Sequence, residues 1–117
     1  MNEYELHCAI GDMLAWTLLP PAFFSSIAHG GYKLTKRAAA RLKRSYLIPG
    51  LPDLHIVYQG KVFYIEVKTQ TGYLSNEQKA VHAKLREAGA QVAVVRSVPE
   101  VEKLLDAWSI PRRAARL

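Results

Sequence analysis

Asp53, Glu66 and Lys68 are the residues of this chain whose types and spacing point most directly to chemistry. Asp53 opens the run Leu54-His55-Ile56-Val57-Tyr58, while Glu66 and Lys68 close the run Lys61-Val62-Phe63-Tyr64-Ile65-Glu66-Val67-Lys68. Between them stands Gln59-Gly60, the pattern of a two-residue hairpin loop that needs positive φ. With that loop Tyr58 pairs with Lys61, and counting back along both strands brings Asp53 opposite Glu66. Directly opposed side chains have Cβ atoms roughly 4.5–5.5 Å apart, and like charges there are destabilising. Glu66 and Lys68 share a strand face because side chains alternate with period two. Two carboxylates and an ammonium therefore converge among apolar strand residues, and a divalent cation is the simplest agent that would hold the carboxylates together.

Each residue also has an ordinary reading. Asp53 follows Pro52, where aspartate is common as a turn residue. Glu66 and Lys68 would make a surface ion pair on an exposed strand edge. That second reading fits poorly, because Phe63, Ile65 and Val67 fill one face and Val62 and Tyr64 make the other apolar too. A strand buried on both faces is central, and charges buried there need partners.

The elements that must position these residues read as alternating helices and strands, without repeats or low-complexity tracts. Residues 3–19 read as a helix with Leu6, Ile10, Met13 and Leu14 as its apolar stripe, ended by Pro20-Pro21. Phe23 to Ala28 reads as a strand closed by His29-Gly30-Gly31. Thr35 to Leu47 reads as a basic helix ending before Pro49-Gly50, and the hairpin follows. Ser75-Asn76-Glu77-Gln78 is a capping-box pattern opening a helix that runs to Gly89. Gln91 to Arg96 reads as a last strand. Ser97-Val98-Pro99-Glu100 opens a final helix with Val101, Leu104, Leu105 and Trp108 facing inward. Strands on both sides of a helix require a crossover, hence a mixed sheet between helices. Residues 1–110 read as one domain and 111–117 as a basic, mobile tail.

At this point the chain resembles the PD-(D/E)xK nuclease superfamily, in element order and in the positions of Pro52-Asp53 and Glu66-Val67-Lys68. More narrowly, Gly50-x-Pro52-Asp53, then Glu66-Val67-Lys68, then Leu74-Ser75-x-x-Gln78 resembles the virus-type replication-repair nuclease (VRR-NUC) domain, and the resemblance covers nearly the whole chain. It implies an α/β restriction-endonuclease-like fold, with a mixed central sheet, a catalytic hairpin and flanking helices. It also implies a Mg²⁺- or Mn²⁺-dependent DNA endonuclease. Asp53, Glu66 and the backbone carbonyl of Val67 would be its metal ligands. Small stand-alone members resemble Holliday-junction resolvases and act as homodimers, so branched DNA is the implied substrate and a second copy the implied partner. A flap, nick or restriction-type endonuclease, or a non-catalytic DNA-binding subunit that kept the fold, stays open beside that reading.

The chemistry asks little more of the sequence. Hard divalent cations favour carboxylate and carbonyl oxygens and keep several waters. Such a cation lowers the pKa of bound water and neutralises charge developing on phosphate. Lys68 reads as a residue that positions water and stabilises that charge. A general-base role would need a large downward pKa shift, which its carboxylate neighbours oppose.

A first-helix acid completes many such sites. Measured from Leu6 at 100° per residue, Glu3 lies about 60° from the apolar stripe and Glu5 about 100° away on its other side. Glu3 is therefore the choice for a further catalytic and metal-binding acid, with Glu5 second; both also suit a helix N-terminus electrostatically. Gln78 could simply cap with Ser75, but it shares an inward stripe with Val81, Leu85 and Ala88 and matches the glutamine of the resembled family, so it is taken as a catalytic-site residue. Lys33, Lys36, Arg37, Arg41, Lys43 and Arg44 form the candidate DNA-binding set. Arg37, Arg41 and Arg44 share one helical face with Lys36 and Lys43 one step round. A basic helix is commonly just a solvated face, but this one immediately precedes the hairpin. Tyr73 and His29-Gly30 are candidates to flank the substrate. The four histidines show no metal-ligand spacing with Cys8, which argues against zinc.

Composition is consistent with these expectations. A net charge of +6 favours a polyanionic partner. One cysteine excludes an internal disulfide and fits a reducing compartment. Glu3 and Glu5 stand where a secretory signal would be basic, and no apolar run approaches the roughly 20 residues of a membrane span. A cytoplasmic protein of a bacterial or virus-infected cell is expected, with no membrane partner and no small-molecule cofactor. A two-fold dimer would supply the paired cuts that a four-way junction needs, and Trp16, Leu18 and Leu19 are either its interface or core.

Overall fold

The computed structural model describes residues 1–27 and 35–113 of the chain. Its elements are α1 (Glu3–Thr17), β1 (Phe23–Ser26), α2 (Lys36–Arg44), β2 (Leu54–Tyr58), β3 (Lys61–Val67), α3 (Asn76–Glu87), β4 (Gln91–Val95) and α4 (Val98–Ala107). The four strands form one sheet in the order β1-β2-β3-β4. The first two pairings are antiparallel and β3–β4 is parallel, so the sheet is mixed, with α3 as the crossover.

Turn chemistry sets the register of the β2–β3 hairpin. Gln59 and Gly60 both take positive φ, 50° and 75°, which matches the twist of the strands they join. Tyr58 pairs with Lys61 and Leu54 with Ile65, as the two-residue loop requires. Alternation then sorts the side chains of β3. Phe63, Ile65 and Val67 enter the core with Leu6, Ile10 and Leu14 of α1 and Val101 and Leu105 of α4. Glu66 points to the opposite face, where it meets His82 of α3. The helices therefore cover both faces of the sheet, α1 and α4 on one side and α3 on the other.

Several boundaries differ from the sequence reading. Helix α1 ends at Thr17, and Leu18 turns extended to bridge Arg112. Helix α2 stops at Arg44, because Tyr46 takes a left-handed φ of 68° and closes the helix as a glycine commonly would. The second face of β3 is only half-buried at Val62 and Tyr64 and closes fully at Glu66, so both-face burial holds at the chemical end alone. Residues 111–113, expected to begin a mobile tail, are tied to the fold. Leu19 donates to the Pro111 carbonyl and Arg113 to the Thr17 carbonyl, while the Arg112 guanidinium forks onto Asp106 at 3.0 and 3.1 Å. Leu18 packs against the core, whereas Trp16 is exposed. Among the described residues no helix is long and apolar enough to cross a membrane.

Candidate active site

Asp53 sits at the start of β2 with its backbone held on both sides. Its N–H donates to the Ile65 carbonyl at 3.1 Å, and its carbonyl accepts from Ile27 at 2.9 Å. Its carboxylate reaches across the hairpin, where Oδ2 accepts the Val67 N–H at 2.7 Å. Asp53 thus bonds to the backbone of the very strand that carries Glu66, and the two carboxyl groups touch. Burial pushes the Glu66 carboxyl up to about 9, helped by its hydrogen bond to the Asp53 side chain and by that residue's charge, against the pull of Lys68. Glu66 is 1% exposed, so water does not relieve this pairing.

Lys68 follows the strand end, its N–H donating to the Val95 carbonyl of β4 at 3.0 Å. Its ammonium lies 3.7 Å from Glu3 Oε1, so α1 brings its first acid to the same place. Glu5 turns away and closes the capping box with Asn2, accepting the Asn2 N–H at 3.3 Å. The structure therefore brings together Asp53, Glu66, Lys68 and Glu3, graded from the buried Glu66 to the half-exposed Glu3. Glu3→Ala is expected to reduce DNA cleavage several-fold more than Glu5→Ala. Steady-state rates of the two variants check this, and the reverse order would move the fourth acid to Glu5.

Gln78 takes the capping role. Its Oε1 accepts the Ser75 N–H at 2.9 Å, and its own N–H donates to Ser75 Oγ at 3.0 Å. Gly50 explains how that cap belongs to the site. It has φ 91°, and a Cβ there would lie 2.7 Å from the Glu77 backbone and 2.9 Å from Gln78 N. Only a glycine lets the segment leading to Asp53 press against the first turn of α3. The Gly-x-Pro-Asp and Leu-Ser-x-x-Gln segments are thus two sides of one contact.

Sequence reasoning missed two residues. His82 is buried on α3 with Nε2 3.0 Å from Glu66 Oε1; the available signal was its place four residues after Gln78. Arg96 donates to the Thr69 carbonyl and, at 2.8 Å, to the Gly72 carbonyl, fixing the loop that leaves Lys68. No spacing pattern marked it. Tyr73 at the end of that loop is 88% exposed. Lys36, Arg37, Arg41, Lys43 and Arg44 are all exposed on α2, which has no buried residue. Lys33 and His29-Gly30 lie outside the described residues.

The donor set suits a hard divalent cation: the neighbouring carboxyl groups of Asp53 and Glu66 and a third acid, Glu3, at the rim. Among the described residues no three His, Cys, Asp or Glu side chains form a ready-made metal cluster. A cation here would therefore rest on Asp53 and Glu66 with backbone oxygen and water completing its shell.

A mixed sheet between helices, with an acid opening one hairpin strand and Glu-x-Lys closing the other, defines a nuclease fold of the PD-(D/E)xK class. The sequence model of the VRR-NUC domain matches residues 13–99 of the 117, a span that holds Asp53, Glu66, Lys68 and Gln78 but not Glu3. The chain belongs to the VRR-NUC domain family, and with it to the nucleases. Two solved structures share the fold. One, described as a VRR-NUC domain, is 21% identical with a TM-score of 0.58, over 91% of this chain and 96% of the other. The second, described as a VRR-NUC domain protein, is 18% identical with a TM-score of 0.66, over 91% and 86%. None of the curated proteins matches this chain.

Proposed function

We propose that this protein is a Mg²⁺- or Mn²⁺-dependent, structure-specific DNA endonuclease that resolves four-way junctions as a homodimer. One observation carries the metal reading. Glu66 is buried beside Asp53, 1% exposed, a costly pairing of two carboxyl groups that a bound cation would relieve. Asp53, Glu66 and the Val67 carbonyl would hold the cation, with Glu3 at the rim. When bound, it supplies positive charge at the scissile phosphate and an acidified water. The chain's own residues do the rest. The Asp53–Val67 hydrogen bond keeps the hairpin closed around the carboxylates. The Lys68 ammonium, held by Glu3 and by its strand's pairing to β4, orients the attacking water and offsets charge on the phosphoryl oxygens.

The exposed cations of α2 provide phosphate contacts that carry no sequence information. Changing Arg37, Arg41 and Arg44 together to Ala should weaken junction binding and flatten its dependence on salt by up to about three contacts' worth of slope. Binding titrations over a range of NaCl check this, and an unchanged slope would take α2 out of the DNA path.

The deciding experiment incubates the protein with end-labelled four-way junction, 5′ flap, nicked and linear duplex DNA, in Mg²⁺, Mn²⁺ or EDTA. Paired, metal-dependent cuts in opposite junction strands support the proposal. Cleavage confined to flaps, nicks or one duplex sequence would replace the substrate. Binding without cleavage in any metal would leave a DNA-binding subunit on a nuclease fold.

A further inference from the structure

His82 is a buried, chemically capable side chain that the proposed reaction does not use. Its side chain is 1% exposed, and its Nε2 lies 3.0 Å from Glu66 Oε1. Its Nδ1 is buried with no hydrogen-bond partner among the described residues. Together these locate the ring proton. A proton on Nδ1 would leave a buried N–H orphaned. A proton on Nε2 faces the carboxylate oxygen and leaves only an acceptor lone pair unpaired, which proteins tolerate better.

The ring also cannot move far. Helix α3 is fixed at its first turn by the Ser75–Gln78 capping box and by the close approach of Gly50 to the Glu77–Gln78 backbone. His82 stands one turn further on, so the Nε2–H is aimed from a rigid base. That hydrogen bond occupies one Glu66 oxygen and leaves the other available beside Asp53.

We propose that His82 is a positioning residue, whose Nε2–H holds the Glu66 carboxylate in the orientation in which Glu66 and Asp53 take up a divalent cation. The proposal rests on the metal-site reading above and assigns His82 no contact with DNA or with the reacting atoms. Partners of this kind, behind a metal ligand, commonly change metal affinity by 10- to 100-fold.

The test is Mn²⁺ binding to the DNA-free protein, read from the spectrum of free Mn²⁺, alongside the metal-free melting temperature. His82→Phe fills the space without a donor. It should weaken Mn²⁺ binding roughly 10- to 100-fold, whatever shift in melting temperature follows from exchanging the unpartnered Nδ1 for a Glu66 oxygen left without its donor. A His82 that served packing alone would leave the Mn²⁺ affinity of this variant at the wild-type value. His82→Gln, whose amide nitrogen reaches about as far as Nε2, should recover most of the affinity, and His82→Asn, whose amide stops near Nδ1, should not. This ordering also decides the matter should the Phe variant fail to fold. Glu66→Gln is the reference and should lose Mn²⁺ binding. Wild-type affinity in His82→Phe, or Asn recovering as well as Gln, with Glu66→Gln defective, would overturn the role of His82 and keep the metal site. Undiminished binding in Glu66→Gln would overturn the metal-site reading and the positioning role with it.

Discussion

Asp53→Asn, Glu66→Gln and Lys68→Met should each lower DNA cleavage roughly a thousandfold or more, about 4 kcal/mol of transition-state stabilisation, while junction binding stays near wild-type. These substitutions separate chemistry from folding better than alanine does. Asp53 Oδ2 accepts the Val67 N–H; alanine would leave that donor inside the hairpin unpaired at a cost of about 1–3 kcal/mol, whereas asparagine keeps an oxygen there. Glutamine at 66 keeps an oxygen for the His82 ring. Methionine keeps the stem of Lys68, which packs beside Gly72, and removes the ammonium. Glu66→Gln should also melt at or above the wild-type temperature in EDTA, since it removes one of two touching carboxylates. Lost activity with retained or increased stability is what strain kept for function looks like. Cleavage rates and thermal melts on the same preparations test this. Near-normal cleavage by the Asp53 or Glu66 variant would sink the metal site, while near-normal cleavage by Lys68→Met alone would remove the lysine from the reaction.

How much of this site was legible depends on how local its determinants are. The hairpin register follows from two residues, Gln59 and Gly60, whose positive φ values leave the flanking strands one way to pair. Everything that placed Asp53 beside Glu66 came from counting outward from them. The choice of Glu3 over Glu5 was likewise local: two residues, about 200° of helix, separate the acid that meets Lys68 from the acid that caps Asn2. Period two also sorted β3 correctly, sending Phe63, Ile65 and Val67 to the core and Glu66 to the other face.

What the sequence hid depended on contacts between distant elements. The inward stripe of α3 was read as Gln78, Val81, Leu85 and Ala88; the first three are half-buried as expected, but the fully buried residue between them is His82, and Ala88 is exposed. The apolar pattern left His82 out of that face because a histidine scores as polar, and its partner, Glu66, lies on another element. Gly50 shows the same limit: its motif was visible, but its reason is the backbone of Glu77 and Gln78, which sequence spacing does not bring near. The end of α2 was overrun because nothing in Tyr46 advertises a left-handed conformation. The end of the domain was set too early because Arg112 looked like one of a run of basic tail residues, while Asp106 and Glu102 wait one turn back on α4 to hold it.

In EDTA the protein should lose stability as pH rises from 7 to 9, and Mg²⁺ or Mn²⁺ should restore it, more strongly the higher the pH. Glu66 is raised from 4.5 to about 9, so the folded protein keeps a proton that the unfolded chain gives up above pH 4.5. The native state binds more protons throughout that window, and stability falls with rising pH, by at most ~1.4 kcal/mol per pH unit for one proton. His82 has the opposite sign. Its lowered pKa makes the unfolded chain the better proton binder below about 6.5, so it contributes a loss as pH falls. Above pH 7 His82 is neutral in both states and only the Glu66 slope remains. A divalent cation binds the ionised carboxylates, so its binding releases the proton and its stabilising effect grows as the proton becomes easier to remove. Glu66→Gln should flatten the pH slope in EDTA and abolish the cation's effect. Thermal melts of both proteins at pH 7, 8 and 9, with and without Mg²⁺, decide the point. If wild type and Glu66→Gln have equal slopes in EDTA, the buried carboxyl is already ionised and satisfied without metal. The argument that the site is built around a cation would then fall.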